Sequence, residues 1–426
     1  MSSRDPSRRD VLRLAGGAAL VLGCGDNLVT RPAGQSHAAA VLEPDEQSFL
    51  VSAWSTLARS FTVDVRDGDG LVRSMRVAVD HAQQALLVVD NLLPSTEYQV
   101  ALASDDGTAL GPYRVRTAPA PDDPRPVRLA VSADLDPSPE FASDLFDHIV
   151  AANPDVFVSI GDVPYTDNGP PAMTAAVYRE RHAELRTTPR VRTWLQATGI
   201  RAIYDDHEFR NDWDAHFELA EPDRFAAAMQ VWDEFFPLPQ ARGDVRYRSF
   251  RWGANLECFL LDCRRFRSAN ADPDTAAKTM LGATQKAWLF AALAASTATF
   301  KLVFTSVPLD FGIGVDHWAG FTVERQEMFD AIAALKLPGV LFVSGDQHYF
   351  AAHRHAYGLR EFQVGPLARG LGMVGREAPG VLFRDVRYNF GLVEVDGDQL
   401  TFSGVGPGGD VFYKETISAA QLTPQG

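Results

Sequence analysis

The stretch Tyr204-Asp205-Asp206-His207-Glu208-Phe209-Arg210-Asn211-Asp212 gathers groups that bind cations or move protons. It follows an apolar run, Ile200 to Tyr204, that reads as a buried strand. Carboxylates clustered beside a core strand are costly to leave unpaired, and a bound cation removes that cost. Two readings fit this stretch alone. One is a metal site. The other is a solvated loop whose Asp or Asn caps the next helix.

The other strand ends separate these readings. Val127 to Val131 leads into Ser132-Ala133-Asp134-Leu135-Asp136, and Val156 to Ile160 into Gly161-Asp162-Val163-Pro164-Tyr165. Leu256 to Leu261 leads into Asp262-Cys263-Arg264-Arg265-Phe266-Arg267, and Val340 to Ser344 into Gly345-Asp346-Gln347-His348. Five apolar runs thus end in aspartate. In α/β sheets ligands bind beyond the C-terminal strand ends. A single acid there is a turn or a cap, whereas five with imidazoles among them point to bound metal.

The elements that must position these ends follow from periodicity. Helical segments span Pro139 to Ala152, Ala172 to Thr198, Asp223 to Phe236, Ala283 to Ser296 and Val323 to Leu335, and strands return from Asn389 to Glu415. Strands alternating with helices predict an α/β layered domain over 127–426. Before it, residues 38–118 hold short β-rich runs, with a turn at Asp67-Gly68-Asp69-Gly70. Their spacing predicts a small all-β sandwich, and Leu93-Pro94-Ser95-Thr96-Glu97-Tyr98 resembles the late strands of a fibronectin type III domain. Residues 119–126, rich in proline, read as a stiff linker.

The first residues read as an export signal. Ser7-Arg8-Arg9-Asp10-Val11-Leu12, then an apolar Leu14 to Leu22, follow the order of a twin-arginine leader, so 1–36 stand outside the fold. Val21-Leu22-Gly23-Cys24 resembles a lipoprotein cleavage box, which would give Cys24 a lipid anchor to the membrane. The expected location is periplasmic, cell-surface or extracellular.

A chain of 426 residues with 46% hydrophobic and 22% charged residues has ample sequence for a core and two or three domains. The formal charge of −15 argues against general nucleic-acid binding, which needs a basic footprint. Three cysteines make no disulfide framework, and Cys258 and Cys263 read as buried small residues.

Taken together, Gly161-Asp162 with Tyr165, Asp205-Asp206-His207-Glu208 with Asn211, and Gly345-Asp346-Gln347-His348 resemble the signature of calcineurin-like metallophosphatases. More narrowly, with Tyr247-Arg248-Ser249-Phe250-Arg251-Trp252-Gly253, Leu261-Asp262-Cys263-Arg264 and Asp316-His317-Trp318, they resemble the PhoD-like alkaline phosphatase and phosphodiesterase family. That resemblance implies a four-layer α/β/β/α sandwich. It also implies two or more metal ions bridged by Asp162. Asp134, Asp136, Tyr165 and His348 would hold the first metal, and Asp206, Asp346 and Asn211 the second. His207 would act as general acid, and Arg264 and Arg267 would grip phosphate oxygens.

The sequence departs from the family at the first metal motif. Ser132-Ala133-Asp134 stands where the family carries Ser-Cys-Gln. Asp134-x-Asp136 makes that site oxygen-rich, which favours Ca2+, with Mn2+, Mg2+ or Fe3+ as alternatives. Phe266 and Ala319 replace a family tyrosine and aspartate. The implied activity is hydrolysis of phosphomonoesters or phosphodiesters. A phospholipase-type diesterase, taking a phospholipid, and a metal-binding surface protein without turnover are the alternatives. One of His353 and His355 could face the site, a solvated strand or turn being the alternative for His355, and His317, beside Trp318, could line the pocket mouth.

Overall fold

The computed structural model describes residues 36–138, 141, 143–239 and 245–424. The export signal and Cys24 lie outside these residues. Among the described residues, no helix is long and apolar enough to cross a membrane.

Seven strands come first: β1 (His37–Leu42), β2 (Phe49–Ser55), β3 (Ser60–Asp67), β4 (Gly70–Ala78), β5 (Gln84–Val89), β6 (Glu97–Ser104) and β7 (Ala109–Arg116). β4-β3-β6-β7 form one sheet, and β1-β2-β5 face it. Alternation explains the sandwich. Phe61, Val63 and Val65 of β3 and Tyr98, Val100 and Leu102 of β6 point inward at spacing two, against Val41, Phe49 and Val51. Tyr98 is buried, and its hydroxyl accepts the Leu93 backbone N–H at 2.9 Å, closing the corner before β6.

Then follow β8 (Val127–Ser132), α1 (Leu145–Ala152), β9 (Val156–Ile160), α2 (Ala175–Thr187), α3 (Pro189–Ala197), β10 (Ile200–Ile203), α4 (Ala215–Ala220) and α5 (Pro222–Phe235). Next come β11 (Arg248–Trp252), β12 (Leu256–Leu260), α6 (Gly282–Ala295), β13 (Phe300–Phe304), α7 (Thr322–Leu335), β14 (Val340–Ser344), β15 (Phe350–Arg354) and β16 (Arg360–Gln363). β17 (Val381–Asp385), β18 (Phe390–Asp396), β19 (Gln399–Val405) and β20 (Val411–Ser418) end the chain. The expected single helix over 172–198 is two helices. Pro189 opens the second and forces Thr188 into an extended conformation, φ −63° and ψ 127°.

The layers are α/β/β/α. One sheet runs β20-β19-β18-β8-β9-β10-β1-β2-β5 and the other β11-β12-β13-β14-β16-β15-β17. Their inner faces form one apolar seam, in which Leu129, Val131, Val158 and Ile160 of the first sheet meet Leu260, Leu302, Phe304 and Val343 of the second. Ala130 and Phe157 point the other way, onto Ile149 of α1 and Trp194 of α3. Phe259, Val303 and Phe342 pack under Leu289 of α6 and Met328 of α7.

The sandwich is continuous with this framework. β1, to which the sequence reading assigned no strand, pairs in parallel with β10 and extends the large sheet. Its entirely buried run His-Ala-Ala-Ala-Val-Leu carries no alternation to mark it as a strand. Just past β1, the buried Glu43 carboxylate meets Arg201 at 3.0 Å and Arg248 at 2.9 Å, joining the sandwich to both sheets.

Candidate metal centre

β8, β9, β10 and β14 all deliver their C-terminal ends to one edge of the two sheets. There the backbone turns through left-handed conformations that non-glycine residues seldom adopt: φ is 60° at Asp134, 60° at Asp162, 75° at Asp346 and 58° at His348. The loops hold one another. Leu135 N–H donates to Asp162 O at 2.8 Å, and Ala368 N–H to Asp134 O at 3.2 Å. Glu208, fully buried, accepts the Val163 and Asp205 N–H groups at 2.8 and 3.0 Å, tying the β9 loop to the β10 loop.

Among the described residues, these strand ends bring several sets of ligand atoms together. Asp134, Asp162 and His348 converge within 4.8 Å, as do Asp162, Asp206 and His207, and Asp205, Asp206 and Asp346. Asp162 belongs to the first two sets. Tyr165 Oη donates to Asp162 Oδ2 at 2.9 Å and lies 2.8 Å from His348 Nε2. His348 Nδ1 donates to the Gly370 carbonyl at 2.6 Å, which leaves Nε2 turned towards Asp134 and Tyr165. Burial, followed by the nearby His207 charge, pushes His348 down to about 4, so its imidazole is neutral as a ligand must be.

The residues fit a cation. Both Asp134 carboxylate oxygens and Asp206 Oδ1 are buried without a hydrogen-bond partner. Buried polar atoms without partners are rare. Burial, then repulsion from neighbouring aspartates, raises the Asp162 and Asp346 carboxyls well above the usual range. For Asp134 the order is burial, then Asp205. Burial also opposes charge on Asp206, yet Arg264 and His207 hold it below that range.

His207 stands over this group. Its ring lies 4.1 Å from the Tyr165 ring, and its Nδ1 is 2.7 Å from Asp167 Oδ1. Burial disfavours the imidazolium, but Asp206 and Asp167 outweigh burial and raise it to about 10.

Several residues expected at the site make other contacts. Arg264, expected to grip phosphate, is held by carboxylates of the protein itself. It is fully buried, with Nε and Nη2 at 2.7 and 2.8 Å from the two Asp205 oxygens and Nη1 2.6 Å from Asp316. Arg267 is likewise buried, 3.1 Å from Asp316 and over the Phe321 ring. Asp136 is not among the converging sets; it accepts Ser138 N–H at 2.9 Å and meets Arg369 at 3.4 Å. Asn211 is exposed, its N–H donating to Asp167 at 2.8 Å. The fifth strand end also drops out, because Asp262 accepts Tyr204 Oη at 2.5 Å and the Arg264 and Arg265 N–H groups as a turn cap.

Sequence reasoning missed Asp167 and Arg369. Arg369 stacks 4.5 Å over Tyr165 and donates to Asn168 at 2.8 Å, which puts a guanidinium at the rim. Asp167 follows Tyr165 closely enough that Tyr165-Thr166-Asp167-Asn168 was a readable polar signal. Arg369 sits in Leu367-Ala368-Arg369-Gly370, where no local pattern marks it.

A family model described as PhoD-like phosphatase matches residues 138–372. Alkaline phosphatase D of Bacillus subtilis (strain 168) is 28% identical over 235 residues, 48% of this chain and 40% of that protein. The match therefore spans about two fifths of that relative's length. Among solved structures, PhoD superposes with a TM-score of 0.79 at 19% identity, covering 89% of this chain and 88% of that one. Purple acid phosphatase PPD1 of yellow lupin gives 0.64 at 13% identity, over 91% and 75%. Both likenesses support the four-layer fold.

Proposed function

The chain belongs to the PhoD-like phosphatase family, and from that premise we propose that it is an exported, metal-dependent phosphoesterase acting on small phosphomonoesters or phosphodiesters. The carrying observation is the set of unpartnered oxygens, both of Asp134 and Oδ1 of Asp206, buried on either side of Asp162. Asp134, Asp162, Tyr165 and His348 would hold one cation, and Asp162, Asp206 and Asp346 another. The oxygen-rich set favours Ca2+, with Fe3+, Mn2+ or Mg2+ as alternatives at the first position. Bound there, the ions would supply Lewis-acid activation of water and charge neutralisation at phosphorus.

The protein's own groups do the rest. Asp167 orients the His207 ring through Nδ1 and favours its protonated form, so the other nitrogen can give a proton to the leaving oxygen. Arg369 faces the rim with a permanently charged fork suited to phosphate oxygens. Arg264 compensates the charge of Asp205 in a buried two-point ion pair. Export by the twin-arginine route, with Cys24 as a lipid anchor, rests on the residue order at the chain start.

One observation favours a lipid diester as second reading. Ile313, Val315, Leu371, Met373 and Val374 are 44, 59, 47, 73 and 44% exposed. They lie on segments that bond to Gln347 and His348, since Ile313 N–H donates to Gln347 Oε1 and Gly372 N–H to His348 O.

The test is metal-reconstituted protein assayed on an aryl phosphate, a bis-aryl phosphate and phosphatidylcholine vesicles. Hydrolysis of a soluble ester supports the main reading, and hydrolysis confined to vesicles supports the second. Metal-loaded protein inert towards all three defeats both.

A further inference from the structure

Away from the strand-end carboxylates, β15 and β16 bring two histidines and a glutamate together. His353 and Glu361 are directly opposed in this antiparallel pair. His355 stands two residues beyond His353. His353 Nδ1 and His355 Nε2 lie 3.2 and 2.7 Å from one oxygen, Glu361 Oε2. The three ligand atoms fall within 4.8 Å of one another. The side chains are 0, 3 and 0% exposed.

The glutamate is anchored for this position. Its other oxygen accepts Leu309 N–H at 2.9 Å and Ser344 Oγ at 2.6 Å. Burial opposes its charge, but the two histidine hydrogen bonds outweigh burial and hold the carboxyl well below its usual range. Phe311 stacks on His355 at 5.5 Å and 14°, and Phe329 covers it at 5.4 Å. Oε2 is thus fixed, and both imidazoles are held against it by strand pairing and aromatic packing.

We propose that His353 Nδ1, His355 Nε2 and Glu361 Oε2 form a second, separate metal site for a zinc-class divalent ion. Two imidazoles and one carboxylate make a three-ligand zinc set, and a tetrahedral ion places each at about 2.0–2.2 Å. Ligand atoms then sit roughly 3.4 Å apart, so the observed contacts need only a small opening. The anchoring of Glu361 from behind supplies the outer-shell support such sites use. Imidazole-rich and oxygen-rich sets sort cations by softness, so this site and the strand-end centre take different ions. Zinc binding here stands independently of the phosphoesterase reading.

The test uses the full chain carrying Asp162→Asn and Asp346→Asn, which disable the strand-end centre. Chelator-stripped protein is equilibrated with Zn2+ alone, desalted and analysed for bound metal, and Co2+ is loaded in parallel for its visible spectrum. One retained Zn2+ per chain and the intense absorption of four-coordinate Co2+ are expected. Adding His355→Ala weakens zinc retention by about tenfold or more. That variant gives up one hydrogen bond to Glu361 and keeps the one from His353, so it should fold. If it does not, the Co2+ spectrum of the parent decides. No retained zinc in natively folded parent, weak six-coordinate Co2+ absorption, or equal zinc with and without His355→Ala overturns the proposal.

Discussion

Arg264 and Asp205 meet wholly inside the protein, two guanidinium nitrogens lying 2.7 and 2.8 Å from the two carboxylate oxygens. Removing one partner of such a pair leaves the other charge buried and alone. Arg264→Ala should therefore lower unfolding free energy by about 3–5 kcal/mol. Arg264→Lys should recover little, because an ammonium cannot make the two-point contact. Denaturant unfolding measures both. A stable Arg264→Ala protein whose only defect is a raised KM would restore the phosphate-gripping role.

His207 and Asp167 should divide by leaving group. His207→Ala should slow hydrolysis of an alkyl phosphodiester by about 10²–10⁴-fold, and of a nitrophenyl ester far less, because a good leaving group needs no proton. Asp167→Asn should fall between that variant and wild type on the alkyl ester, since it loses ring orientation but keeps the acid. Equal losses on both esters would remove the acid role.

The metal-free chain should lose stability as pH rises. Burial and like charges raise the Asp134, Asp162 and Asp346 carboxyls, and burial pushes Glu208 up to about 8. In the unfolded chain these groups ionise near pH 4. Between about pH 4 and pH 8 the folded state therefore holds more protons, and stability falls with rising pH. Metal binding needs the deprotonated ligands, so added cation should flatten or reverse that slope. Thermal unfolding of chelator-treated and metal-loaded protein near pH 5 and near pH 8 checks it. Identical slopes in both forms would count against cation binding here.

A single methyl group should disturb the first cation position. Gly365 has φ 96°, and a Cβ there would clash with Asp134 Oδ2. Gly365→Ala should shift Asp134 and cut metal affinity and activity together, with the fold retained by circular dichroism. Wild-type metal content in that variant would show that Asp134 is not a ligand.

The strand ends were legible in the chain because their signals are local. An apolar run followed at once by Gly161-Asp162 or Gly345-Asp346 is complete within a few residues, so the α/β layering and the gathering of acids at strand ends could be read. β1 was not legible, because a wholly buried short run lacks alternation and joins the sheet only by pairing with β10, which lies far along the chain. Which acids are paired inside the protein was also hidden. Asp205 and Asp206 are neighbours in sequence, yet Asp205 is consumed by Arg264, 59 residues on, while Asp206 keeps an unpartnered oxygen. Asp136 is taken by Arg369, 233 residues away. The sequence by itself determined where carboxylates gather. Only tertiary structure decided which of them are paired, because a buried carboxylate is engaged by whichever distant arginine the packing brings against it.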